Sequence, residues 1–170
     1  MTKRLRILST SEIKYYYGAQ AFSPDEQEYY FTLDTHEESI MQELGSVISK
    51  AYFILLLGYF KANQQLFKLW EIKNINSNLE FVRTKYFPER QKSIDLEISR
   101  PTRLDLEHRI LKMFDYQVCG VEMRERIALL ASEVVTIDSS PVFVFKEIAH
   151  FLQKNRVILP AYTMLQELIG

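Results

Sequence analysis

Arg100-Pro101-Thr102-Arg103-Leu104-Asp105 is the stretch of this sequence whose residue types and spacing best suit chemistry, and that chemistry is the holding of an anion. Thr102 suits the N-cap of a helix, and Asp105 three positions later completes a short capping box. Arg100 and Arg103 then flank a helix start. Backbone N–H groups and the helix dipole already favour negative charge there, so two guanidinium groups beside them make a phosphate clamp. Arg109 and Lys112 fall one to two turns further along the same helix.

Other chemistries lack their residues. His36, His108 and His150 lie on three separate predicted helices, and none belongs to an H-E-x-x-H or comparable metal pattern, so no metal or cofactor is expected. There is no glycine-rich phosphate loop and no G-x-S-x-G elbow. Cys119 is the single cysteine, between Val118 and Gly120 with no neighbouring base. It reads as a buried structural thiol in a reducing, cytoplasmic setting. Tyr15-Tyr16-Tyr17 and Tyr29-Tyr30-Phe31 offer rings that could stack on bases, but partial burial with hydroxyls at the surface is the commoner use.

Charge is balanced overall, with 21 Lys and Arg against 22 Asp and Glu. It is nevertheless segregated along the chain. Residues 21 to 44 hold Asp25, Glu26, Glu28, Asp34, Glu37, Glu38 and Glu43 and no Lys or Arg. Residues 83 to 112 hold Arg83, Lys85, Arg90, Lys92, Arg100, Arg103, Arg109 and Lys112 against five acids. Such segregation can build a basic face on a neutral protein. Lys3, Arg4 and Arg6 form a further basic cluster, suited to a flexible arm entering a groove.

The elements that must carry these residues are helices, because five Gly and five Pro leave little punctuation for the turns of an all-β fold. Ser9 or Thr10 caps a first helix through Tyr17, and Ser23-Pro24 opens a second through about Thr32. Thr35-His36-Glu37-Glu38 reads as the capping box of a third helix ending at Gly45. Ser46 starts the most apolar helix, whose run from Ala51 to Phe60 is bracketed by Lys50 and Lys61. A bilayer needs roughly 20 such residues, so this is a core helix and no membrane span. Thr35 to Leu44, Gly45 and the helix after it have a helix-turn-helix outline, but Tyr52-Phe53-Ile54-Leu55-Leu56-Leu57 is too apolar to read base edges.

Gln64 to Ile72 suggests a short helix with Leu66, Phe67, Leu69 and Trp70 turned inward. A polar loop at 74–78 and a helix from Leu79 to Tyr86 follow. Residues 89–101 are charged, with apolar side chains only at Ile94, Leu96 and Ile98, and read as a linker. Helices are then expected over Arg103 to Phe114, Val121 to Val135, Pro141 to Lys154 and Ala161 to Leu168. A short extended piece at Arg156 to Leu159 precedes the last. The expectation is an all-α chain of two small helical bundles with helix-turn-helix-like character, 1–88 and 102–170.

Four motifs in order resemble the N-terminal region of Tn-three family transposases over nearly the whole chain. Leu8-Ser9 with Glu12 and Tyr17 is similar to the family's L-S-x-x-E opening, and Phe31-Thr32-Leu33-Asp34 to its Y-T-L-S. Thr102-Arg103 running to Tyr116 resembles the T-R that begins a helix ending in L-G-Y, with Phe114 and Asp115 in the leucine and glycine places. Val157-Ile158-Leu159-Pro160-Ala161 resembles I-I-L-P-A. Two departures stand out: Leu106 occupies the family's T-R-x-x-H histidine position, and Phe60-Lys61-Ala62-Asn63 stands where many members read R-Y-P-G.

The resemblance implies a fragment of a replicative transposase whose Asp-Asp-Glu catalytic domain lies downstream. This region would bind double-stranded DNA at the terminal inverted repeats without catalysis of its own. Lys3, Arg4, Arg6, Arg83, Lys85, Arg90, Lys92, Arg100, Thr102, Arg103, Arg109 and Lys112 are the expected contacts. The remainder of the transposase chain and, in the full-length protein, a second copy are further expected partners. One rival is a helical protein-interaction or structural domain using the acidic block as its contact surface. The other is a free-standing helical enzyme, which requires a deep pocket with convergent titratable groups.

Overall fold

The computed structural model describes residues 4–170, and its regular structure is helical throughout: an all-α chain. The helices are α1 (Thr10–Tyr17), α2 (Pro24–Phe31), α3 (Thr35–Gln42), α4 (Val47–Asn63), α5 (Ile75–Tyr86), α6 (Arg100–Phe114), α7 (Val121–Val134), α8 (Pro141–Lys154) and α9 (Tyr162–Ile169). Among the described residues no helix is long and apolar enough to cross a membrane.

Side chains set the starts of the first three helices. Ser9 accepts from the Glu12 N–H while Glu12 accepts from the Ser9 N–H, and Ser23 with Glu26 repeats the reciprocal pair. For α3 the box lies one residue earlier than the sequence suggests: Asp34, not Thr35, is the cap, with Glu37 answering it. A carboxylate at that position also complements the positive end of the helix dipole.

Contacts divide the chain into two units, one spanning Ala19–Met113 and the other joining the residues up to Gly18 with Phe114–Gly170. These differ from the two bundles expected from the sequence. Residues 89–99 do run without helix, but Ile94 is buried and α6 groups with the helices before it.

In the Ala19–Met113 unit, α4 is the central helix, packed against α2, α3 and α5. Every residue from Ala51 to Phe60 is buried, so α4 is enclosed on all sides and serves as core. Gly58 lets α2 approach, since a Cβ there would lie 2.3 Å from the Phe31 ring. Asn78, expected in a polar loop, is instead a buried residue of α5. It donates to the Tyr59 hydroxyl at 2.6 Å and accepts from Gln27 Nε2 at 2.8 Å, so its burial is matched by partners. Only a 3-10 turn at Leu69–Glu71 forms where a short helix was expected. It turns Leu69 inward and leaves Trp70 60% exposed.

The other unit has its own core of Ile7, Leu8, Ile127, Val144, Phe145, Ile148, Leu152, Val157 and Leu165 among others. The segment before α1 is bound down on α9. The Tyr162 hydroxyl bonds the backbone N–H groups of Ile7 and Leu8, both at 3.0 Å. The Tyr17 hydroxyl donates to the Pro160 carbonyl at 2.8 Å, and burial raises its pKa well above the usual tyrosine range. Tyr16 packs edge-on against Phe145, whereas Tyr15 is exposed. The expected extended piece is present as a single parallel bridge between Gln117 and Val157.

Gln64, Asp115 and Arg156 follow α4, α6 and α8 with φ of 52°, 56° and 53°. Left-handed C-terminal turns are usually given to glycine. Here non-glycine residues make all three.

Candidate nucleic-acid interface

The hydrogen bonds at the start of α6 give its residues roles other than those expected. The Ser99 hydroxyl accepts from the Thr102 N–H at 3.3 Å, and the Ser99 carbonyl accepts from the Arg103 N–H at 3.0 Å. Ser99 is therefore the cap, and Thr102 sits in the first turn with its hydroxyl 2.8 Å from that of Ser99. Asp105 does not close a capping box; it accepts from Arg109 Nε at 3.0 Å.

Arg103 is not a free arm beside the helix start. Its guanidinium lies 5.2 Å from the Trp70 ring centroid, and Nη1 is 3.4 Å from a Glu107 carboxylate oxygen. Burial raises the pKa of Glu107, opposed by the positive charge of Arg103. Burial likewise raises that of the Tyr52 hydroxyl, on which both Arg103 and Glu107 act. Arg103 thus ties α6 to the turn at Leu69–Glu71.

The segregation of charge along the sequence is partly undone in space. Glu28 pairs with Lys85 and Glu43 with Arg109, so two of the cations expected to form a basic face are met by the acidic stretch, while Glu37 pairs with Lys61 outside that block. Arg83 bonds Glu80 and the Arg90 carbonyl. Lys85 also lies over the Phe81 ring, 5.7 Å from its centroid. Arg90, Lys92, Arg100 and Lys112 are exposed and, among the described residues, make no ion pair.

The expected N-terminal arm is held down from Arg4 onward. Arg4 pairs with Glu167 at 2.7 Å, and Gln166 donates to the Leu5 carbonyl at 2.8 Å. Arg6 donates to the Leu8 carbonyl and the Thr10 hydroxyl. Lys3 lies outside the described residues.

Sequence reasoning missed one grouping. A cavity of about 490 Å³ is lined by His36 and Ile40 of α3 and by Asp105, His108, Arg109, Lys112 and Met113 of α6. Asp105, His108, Arg109 and Lys112 stand at i, i+3, i+4 and i+7, one stripe of a helix. That spacing was legible; that α3 would face it was not. The described residues hold no group of His, Cys, Asp or Glu placed for a metal ion. One protein-family model, described as Domain of unknown function (DUF4158), matches residues 7–170. No curated protein matches the chain.

Proposed function

We propose that this chain, which belongs to the DUF4158 family, is a DNA-binding region of a replicative transposase that recognises the terminal inverted repeats of its transposon. Catalysis is assigned to another part of the transposase, and the setting is cytoplasmic. The observation that carries this reading is family membership, because DUF4158 is known to occur in Tn-three family transposases.

The surface chemistry supports backbone-positioning contacts. Phosphates attract cations that no acid neutralises, and Arg90, Lys92, Arg100 and Lys112 are of that kind. Arg109 keeps donor capacity beyond its two acids, whereas Arg103, Arg83 and Lys85 act mainly within the fold. Fluorescence anisotropy with transposon-end duplex against scrambled duplex tests the reading. The expected result is tighter binding to the end sequence, with log Kd against log salt giving a slope of about 0.9 per phosphate contacted. Absence of salt-dependent binding to either duplex would sink it.

A second reading, a helical protein-interaction domain, is favoured by the exposed apolar side chains Val118, Val121, Leu129, Val135 and Ile137 in the unit containing α7. The remainder of the transposase or a second copy would be the partner. Concentration-dependent sedimentation with no DNA binding is the result this reading expects.

A further inference from the structure

The α3–α6 cavity collects hydrogen-bond donors that nothing else in the fold uses. His36, His108 and Lys112 are exposed on its wall, and among the described residues the side chain of none of the three makes a hydrogen bond or ion pair. Each imidazole carries an N–H donor in either neutral tautomer, and the ammonium carries three. Arg109 is held beside them by Asp105 on Nε and Glu43 on Nη1, which fixes the guanidinium and leaves its Nη2 hydrogens unused by those acids.

Donors therefore outnumber acceptors on this wall, and Asp105, its one acid, is already bonded to Arg109. Ile40 and Met113 add an apolar surface. A compact anion with several acceptor oxygens satisfies such a wall. A metal ion does not suit it, since no group of metal-ligating side chains stands there among the described residues.

We propose that this cavity is a phosphate-binding site in which His36 and His108 act with Arg109 and Lys112 on a single phosphate group. In resting on the DNA-binding reading, the proposal takes a backbone phosphodiester as the source of that group. The two histidines reach it from different helices, so the site fixes the phosphate against both α3 and α6.

The test uses the whole chain with labelled histidine imidazoles, observed by NMR while either inorganic phosphate or a mixed-sequence duplex of about 20 base pairs is added. Signals of His36 and His108 are expected to move with the duplex while that of His150 stays still. The exposed pair His36→Gln with His108→Gln should weaken duplex binding about fivefold or more, as loss of two hydrogen bonds implies, with an unchanged circular dichroism spectrum. Lys112→Ala should lower the salt slope by about one phosphate.

If the duplex binds but neither histidine signal moves with either probe, the site is wrong and the DNA reading stands. Should the duplex not bind while inorganic phosphate moves both signals, the cavity takes free phosphate and the DNA reading falls. Movement with neither probe and no duplex binding overturns both.

Discussion

Removing the guanidinium of Arg103 would leave Trp70 without its stacked cation and Glu107 half-buried without its counter-charge. Arg103→Ala should therefore destabilise the fold by about 1–2 kcal/mol in urea unfolding. Arg103→Lys should recover only part of this, because an ammonium lacks the planar stack. Glu107 sets a pH dependence. Its pKa is raised on folding, so the folded state holds that proton more tightly than the unfolded chain. Its contribution favours the fold at low pH and is lost as pH rises from the ordinary glutamate value through the raised one. Glu107→Gln should flatten that part of the profile and raise stability at neutral pH, measured by urea midpoints across the window. Ser99→Ala should cost about 1 kcal/mol through the lost cap and Thr102→Ala less, which a pair of thermal melts can decide. The opposite order would return the capping role to Thr102.

Helix packing depends on a few positions where the backbone itself is the constraint. Gly58 in α4 meets the Phe31 ring of α2, and a methyl group there has no room. Gly58→Ala should cost about 1–3 kcal/mol by overpacking, despite alanine's better helix propensity, and calorimetry would register the fall in Tm. Phe31 opens the stretch similar to Y-T-L-S, and the rest of that stretch is scaffold too: Leu33 donates its N–H to the Tyr86 hydroxyl at 2.8 Å and Asp34 caps α3. Asp115, in the glycine place of the L-G-Y resemblance, has φ of 56°. A glycine is suited to that conformation without steric cost, so Asp115→Gly should leave stability unchanged or raise it by up to about 1 kcal/mol. A clear loss would mean that the Asp115 side chain contributes more than the turn costs.

For the molecule as a whole, the helices after Phe114 share a core with Ile7 and Leu8, so that unit is discontinuous in sequence. A fragment of residues 102–170 should lack a cooperative melt by circular dichroism, while a fragment of 19–113 should keep one. A cooperative 102–170 would show that the N-terminal segment is dispensable to that core. Helical class, most helix starts and the core role of α4 were determined by the sequence itself, because capping pairs and apolar runs act over four residues or a single helix. The motifs with Leu8 and Pro160 were legible as well, though not that Tyr17 joins them through one hydrogen bond. Charge was the poorest guide: 21–44 and 83–112 look like opposed blocks along the chain, yet Glu28 and Glu43 meet Lys85 and Arg109 across it. Which cations remain exposed, and that His36 joins His108 in one cavity, were decided only by tertiary structure. Pairing between distant residues depends on how helices pack side by side, and helical periodicity states which face is apolar without stating which helix covers it.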